Sequence, residues 1–226
     1  MTDKIREIRK ILKENSDPVR AENMSAYMRN KFAFYGIPAA KRRDLTMPYI
    51  REGKRGGKID WDLLFNLFKE ERREMAYLAL DILKAQKDAL RPSDFESLIG
   101  LSEIKPWWDT IDLLDGFIGK IALMDDSLEE QILDLAQADN FWLRRIAIGH
   151  QRRYKEKTDT DLLEKIIKIN LQIPFKDKDE KFFIEKSIGW ALREYSKTNP
   201  DRVKSFLDRE KSSLPPLSRR EASKYL

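Results

Sequence analysis

The stretch "DKIREIRKILKE", residues 3–14, has the apolar spacing of an amphipathic helix. Its apolar residues, Ile5, Ile8, Ile11 and Leu12, recur at intervals of three, three and one, which places them on one face of a 3.6-residue turn. Charged residues fill the remaining positions, and neither Gly nor Pro interrupts the run. The stretch therefore predicts a helix with one buried face and one solvated face.

The same periodicity continues along the chain. Only 9 Gly and 9 Pro occur among 226 residues, and helix-forming residues dominate, so few breaks are expected. After the loop predicted at "GKRGGK", residues 53–58, further helices are expected at about 107–123, 127–138, 140–155, 159–171, 179–197, 200–209 and 218–225. Ser93, Ser127, Thr158 and Ser218 are the expected N-caps.

About a dozen helices with short links predict an all-α fold. Paired helices stacked as an α-solenoid fit this pattern, and a compact helical bundle is the alternative. No clear domain boundary is visible, although residues 172–183, "QIPFKDKDEKFF", are the best candidate for a linker. A single domain over residues 1–226 is expected.

Composition excludes several classes of site. The chain has no Cys and one His, His150, so disulfides, thiolate zinc sites and multi-histidine metal sites are excluded. No apolar run approaches the roughly 20 residues of a membrane span, and the first residues lack a signal-peptide core, so a cytoplasmic protein is expected. Lys and Arg exceed Asp and Glu by 44 to 39, an excess that permits a polyanionic partner.

The stretch "KPWWDTIDLL", residues 105–114, combines aromatic and acidic residues at the start of a predicted helix. Trp108 and Asp112 are four residues apart and share a face, whereas Trp107 is expected to point inward. Alternatively, both indoles belong to the core, Asp109 interacts with the helix dipole and Asp112 lies on a solvated face.

Two further segments carry cations. In "DNFWLRRIAIGHQRRYK", residues 139–155, Arg145 and Arg152 line up seven residues apart with Arg153 nearby, and Gly149 leaves room for a close approach by another backbone. An ordinary exposed basic face is the alternative. Arg144 is a further cation of this segment. Other basic groups that a helical array could gather in one groove are Lys41, Arg42, Arg43, Arg219 and Arg220.

In "FFIEKSIGWALREYSKTNP", residues 182–200, Lys186, Trp190 and Arg193 form one stripe. A tryptophan between two cations suits contact with a sugar-phosphate backbone. The alternative is a core Trp190 flanked by solvated charges.

Taken together, five stretches resemble the AlkD-like DNA alkylation-repair glycosylases. They are "AENMSAYMRNKFAFYGIPAAKRRDL", "WWDTIDLL", "DNFWLRRIAI", "FFIEKSIGWALREYSKTNPD" and "LSRREA", in that order along the chain. The resemblance implies HEAT-like helical repeats that form a concave, basic, DNA-binding groove. It also implies that alkylated purines are excised from duplex DNA.

The resemblance assigns roles to individual residues. Trp108, Asp112 and Trp190 match the family's active site, and Arg145 matches a DNA-contact position. Arg153 stands where a lysine is usual, and Tyr27 matches a tyrosine near the DNA. Lys186 and Arg193 are added as DNA-binding candidates from their stripe with Trp190.

The expected chemistry is hydrolysis of the N-glycosidic bond of cationic 3-methyladenine or 7-methylguanine. Such a base leaves as a neutral molecule, so no general acid is required, and a carboxylate stabilises the oxocarbenium-like sugar. The enzyme is expected to work as a monomer without metal or other cofactor. Two alternatives stay open: a non-catalytic helical-repeat protein that binds bent or branched DNA by shape, and a scaffold for protein interactions.

Overall fold

The computed structural model describes residues 3–226, and these form thirteen α-helices with no β-strand. One isolated parallel bridge joins Ala33 and Arg72. The all-α prediction is confirmed. The helices are α1 Asp3–Glu14, α2 Pro18–Tyr27, α3 Ala39–Arg55, α4 Trp61–Lys69, α5 Arg73–Ala85, α6 Phe95–Glu103, α7 Trp108–Ala122, α8 Leu128–Ala136, α9 Phe141–Gly149, α10 Thr160–Gln172, α11 Lys178–Ser196, α12 Pro200–Arg209 and α13 Pro216–Ala222.

Some predicted boundaries were wrong. The helix predicted at 140–155 ends at Gly149 and is followed by turns and a short 3-10 helix, Lys155–Lys157, where Lys155 has a φ of 54°. The loop predicted at 53–58 starts later, because α3 continues to Arg55. The last predicted helix begins earlier, at Pro216, and its end is a 3-10 turn, Ser223–Tyr225.

Most of the predicted N-caps were also wrong. Ser127 is the N-cap of α8, although its side chain makes no capping hydrogen bond. Ser93 lies inside a 3-10 helix, Pro92–Asp94, and Asp159 rather than Thr158 caps α10. Ser218 lies within α13 and donates its hydroxyl to the carbonyl of Glu185 instead.

The helices fall into two compact units. The first runs to Leu90 and includes Glu103–Lys105, and the second comprises Arg91–Ser102 and Pro106–Leu226. In each unit, helices close in sequence pack together: α5 against α3 and α4 in the first, and α9 against α7, α8 and α11 in the second. Among residues 3–226, none of the helices combines the length and apolar character needed to cross a bilayer.

A buried carboxylate organises the first unit. Glu74, near the start of α5, accepts hydrogen bonds from the backbone N–H groups of Tyr35, Gly36 and Ile37 at 2.9–3.2 Å. These groups belong to the segment between α2 and α3, which has no helical partners of its own. The carboxylate therefore supplies the acceptors that a buried loop backbone requires.

Gly36 is placed where a side chain has no room. Its φ is +85°, a conformation that favours glycine, and an added Cβ would meet the carbonyl oxygen of Asp17 and the backbone nitrogen of Ala21. Gly57 also has a positive φ, of 68°, but nothing lies within 4 Å of an added Cβ there. Substitution of Gly57 would therefore cause backbone strain alone, whereas substitution of Gly36 would cause strain and steric overlap.

We expect Gly36→Ala to lower the free energy of unfolding by at least about 2 kcal/mol, since strain and backbone overlap add. Gly57→Ala, the matched control, should lose only about 1 kcal/mol, because strain acts alone there. Chemical denaturation of the two variants and the parent measures both values. Equal losses would contradict the steric argument.

The second unit is centred on α9, which is buried along nearly its whole length. An aromatic cluster covers its start, where Trp107, Trp142 and Phe183 have ring centroids 4.8–5.5 Å apart. Trp107 is thus a core residue, as predicted, and it is the N-cap of α7. At the other end of α9, the carbonyl of His150 lies so close to Gly119 that a Cβ there would clash.

His150 is enclosed by this packing. Burial lowers the pKa of His150 to about 4, and its Nδ1 lies 2.6 Å from the carbonyl oxygen of Ala147. Its ring also meets the ring of Tyr154 edge-on. The imidazole is therefore neutral at physiological pH and is held in place by the fold, which leaves it unsuited to acid-base chemistry.

The neutral state of His150 makes stability depend on pH. Between pH 6.5 and about 4 the unfolded chain binds a proton that the folded chain does not. Unfolding free energy should therefore fall as pH drops through this window, by on the order of 3 kcal/mol, and the effect should level off below pH 4.

Denaturation of the parent and of His150→Gln at several pH values isolates this contribution, since other groups titrate in both proteins. His150 is the chain's one histidine, so its NMR titration is unambiguous. A midpoint near 6.5 in the folded protein would contradict the burial argument.

Candidate functional site

The first turns of α7 present one aromatic and one acidic side chain on the same face. Trp108 is the first helical residue and is partly exposed, and Asp112 follows one turn later. Apolar neighbours Ile111 and Leu114 are buried and anchor the opposite face of the helix. The local periodicity of the sequence therefore fixes the orientation of Asp112.

Asp112 is held by a bidentate ion pair with Arg145 of α9. Arg145 Nε donates to Asp112 Oδ1 at 2.9 Å, and Nη2 donates to Oδ2 at 3.0 Å. The Arg145 side chain is 4% exposed, whereas that of Asp112 is 14% exposed. The remaining nitrogen, Nη1, donates to the carbonyl of Phe183 at 2.6 Å. Arg145 thus ties α7 to α9 and α11, and it fixes both oxygens of the carboxylate.

A second acidic residue lies next to this pair. Asp115, 1% exposed, forms ion pairs with Arg152 and, at 3.4 Å, with Arg153. Burial, together with the carboxylate of Asp112, raises the pKa of Asp115 to about 6, although the charges of Arg152 and Arg153 act to lower it. The protonation of Asp115 therefore depends on both guanidinium groups staying in place.

Trp190 of α11 contacts Arg152, which pairs with Asp115. The guanidinium carbon of Arg152 lies 3.7 Å from the centroid of the Trp190 ring, a cation–π stack. Arg152 Nη2 also donates to the backbone carbonyl of Asp112 at 3.3 Å. On its far edge, the indole Nε1 of Trp190 donates to Glu194 Oε1 at 3.3 Å. Arg152 thus links Trp190 to the backbone of Asp112.

Gly149 makes this arrangement possible. An added Cβ at Gly149 would lie 2.5 Å from Asp115 Oδ2 and 3.2 Å from Arg152 Nε. A close approach at Gly149 was predicted, but its partner is an ion pair rather than a backbone. Arg153, which extends from the turn after α9, is largely exposed and also reaches the Asp112 carbonyl at 3.4 Å.

The two other predicted cations on α11 are held by one carboxylate. Lys186 Nζ lies 2.7 Å from Glu221 Oε1, and Arg193 Nη1 lies 2.9 Å from Glu221 Oε2. Lys224 adds a third ion pair at 2.8 Å. Burial would raise the pKa of Glu221, but the hydrogen bonds and charges of Lys186 and Lys224 outweigh burial and lower it to about 2. Three cations therefore converge on one anion.

Gly189 lets α13 approach α11 closely enough for these contacts. An added Cβ at Gly189 would lie 2.5 Å from the Cβ of Glu221 and 2.8 Å from the carbonyl oxygen of Ser218. The short motif "LSRREA", whose arginines were predicted as cations, thus also provides the anion that orders Lys186 and Arg193.

Tyr27, the remaining predicted residue, belongs to the first unit. It is the last residue of α2, and its side chain is 72% exposed. Within residues 3–226, no group of three or more His, Asp, Glu or Cys side chains is arranged to hold a metal ion.

Comparison with known proteins decides the family. A family model described as "DNA alkylation repair enzyme" matches residues 8–226. The chain belongs to the DNA alkylation repair enzyme family. A solved structure described as "Predicted DNA alkylation repair enzyme from Enterococcus faecalis" is 34% identical, with a TM-score of 0.82 over 93% of this chain and 96% of that one. A search of curated proteins finds no match.

Membership of the DNA alkylation repair enzyme family confirms the resemblance seen in the sequence. The structural similarity also supports the predicted helical-repeat fold class.

Two residues that complete the site, Asp115 and Glu221, were not among those predicted, and Arg152 was noted only as a cation. A weak signal existed for Asp115, because aspartate is a poor residue for a helix interior.

We expect Glu221→Gln to lower the free energy of unfolding by about 2 kcal/mol at neutral pH, since it leaves three cations without their anion. The pKa of Glu221 is about 2 in the folded chain and 4.5 ordinarily, so its contribution is complete above pH 4.5 and is lost as pH falls through 2. Denaturation across this range, with the exposed Glu130→Gln of α8 as control, measures it. A difference from the parent that persists at pH 2 would contradict the ion-pair argument.

Proposed function

We propose that this protein is a monofunctional DNA glycosylase that removes cationic alkylated purines, such as 3-methyladenine and 7-methylguanine, from duplex DNA. The observation that carries the proposal is the Asp112 carboxylate, fixed by two hydrogen bonds from Arg145, partly exposed, and one turn from Trp108. Family membership supports a role in alkylation repair.

The leaving group determines what the site must supply. A purine alkylated at ring position 3 or 7 already carries a positive charge, so it departs as a neutral base without a proton from the enzyme. The buried, neutral His150 fits this requirement, because it offers no acid to the site. The positive charge moves to the sugar as the glycosidic bond breaks.

Asp112 is suited to stabilise that sugar. Its carboxylate provides negative charge opposite the developing cation and an acceptor for the attacking water. The indoles of Trp108 and Trp190 offer aromatic faces that attract cations and exclude bulk water. Because Arg145 has already fixed both oxygens, little reorganisation is needed when the transition state forms.

The cations near the site would bind DNA phosphates. Lys186 and Arg193 lie on α11, the helix that carries Trp190, and Arg153 extends from the turn after α9 to Asp115 of α7. Arg145 is proposed as a phosphate contact through the second N–H of Nη1 or Nη2, since one N–H of each already donates to Phe183 or Asp112, and Tyr27 is proposed as a contact from the first unit. The proposal treats residues 1–226 as one domain that acts as a monomer, without a metal or cofactor.

Asp112→Asn should slow the release of 7-methylguanine from methylated duplex DNA by about 100-fold or more, since it removes the charge and keeps the shape. Single-turnover base release, measured by chromatography, tests this. Asp134→Asn, at an exposed position of α8, is the matched control and should keep the parental rate.

Normal release by Asp112→Asn would overturn the role of Asp112. Salt-dependent DNA binding by the parent protein without any base release would instead favour a non-catalytic DNA-binding protein.

A further inference from the structure

We infer that Asp115 is a positioning residue for the reaction: by pairing with Arg152 it holds Trp190 and the backbone of Asp112 in place, and it reduces the positive charge beside the reacting sugar. This inference rests on the proposed glycosylase activity. It concerns a carboxylate that touches neither substrate nor reacting atoms and that acts through its neighbours.

The first support is the geometry of Arg152. Its side chain is 5% exposed, and its guanidinium makes four contacts: an ion pair with Asp115, hydrogen bonds to the carbonyls of Gly149 and Asp112, both at 3.3 Å, and the stack on Trp190 at 3.7 Å. One planar group thus connects α7, α9 and α11. Asp115 is the only carboxylate paired with Arg152 among the described residues. It therefore fixes the orientation of the guanidinium plane that stacks on Trp190.

The second support is the balance of charge. Arg145, Arg152 and Arg153 place three positive charges around Asp112, a poor setting for a sugar that becomes cationic. Asp115 offsets one of the two charges of Arg152 and Arg153, so the net positive charge that opposes the sugar cation falls from two units to one. Without Asp115, the positive charge of Arg152, which stacks on Trp190, would be uncompensated. It would repel the same sugar cation that the indole of Trp190 attracts.

The third support is the room made for the pair. Gly149 lacks the Cβ that would lie 2.5 Å from Asp115 Oδ2, so α9 carries a glycine where the ion pair sits. The second unit contains another buried pair, Arg144 with Glu180, at 2% exposure for both side chains. Among the described residues, the Arg144–Glu180 pair makes no hydrogen bond to Asp112, Arg152 or Trp190, and it therefore provides a comparison of similar burial.

The test compares Asp115→Asn with Glu180→Gln. Single-turnover release of 7-methylguanine gives the rate constant, and fluorescence anisotropy on undamaged duplex DNA gives the affinity, both below the thermal midpoint of each variant. Asp115→Asn should lower the rate constant about 10-fold or more without weakening DNA binding, because removing a negative charge does not reduce attraction to phosphates. Glu180→Gln should lose thermal stability and keep the parental rate constant.

Arg152→Lys provides a second, independent variant if Asp115→Asn does not fold. It keeps the charge and loses the planar stack on Trp190, so the rate constant should again fall about 10-fold while DNA affinity is kept.

Each other outcome overturns the inference. Parental rate constants in Asp115→Asn or Arg152→Lys would show that the pair does not act on the reaction. Equal losses of rate and affinity, or an equal fall in rate for Glu180→Gln, would indicate a purely structural role. A parent protein that releases no base would overturn the proposed function itself, and with it this inference, whereas the first two results leave the proposed function intact.

Discussion

The ion pair between Asp112 and Arg145 is the constraint on which the site depends. Two charges withdrawn from water lose hydration, and only good geometry with further hydrogen bonds compensates for that loss. Here both carboxylate oxygens and a third arginine nitrogen are satisfied, the last by the carbonyl of Phe183. The packing of α7, α9 and α11 must therefore bring these groups together within a few tenths of an ångström, and Trp108 and Trp190 are placed by the same packing.

The second unit repeats this solution with different residues. Asp115 pairs with Arg152 and Arg153, Glu180 with Arg144, and Glu221 with Lys186 and Arg193. The three carboxylates are almost fully buried, whereas three of the cations, Arg153, Lys186 and Arg193, stay partly exposed. Under the proposed function, the partly exposed cations would meet DNA phosphates with their side chains already held by buried anions, so less side-chain entropy would be lost on binding.

The sequence predicts what lies within one helix better than what lies between helices. The spacing of Trp108 and Asp112 placed them on one face, and the inward direction of Trp107 followed from the same pattern. Asp115 and Glu221 were not predicted because, apart from Lys224, their partners are 28–38 residues away in the chain, where no periodicity connects them. The predicted extension of α9 to residue 155 failed for a related reason: Gly149 serves the ion pair and ends the helix.

Under the proposed function, selectivity comes from the leaving group. The chain has one histidine, which is buried and neutral, and its carboxylates at the site are paired with guanidinium groups. Such a site offers negative charge and aromatic faces but no proton. A purine that needs protonation to depart gains little from it, whereas a purine made cationic by alkylation needs only what Asp112 supplies. Undamaged DNA is then left intact because its bases are poor leaving groups.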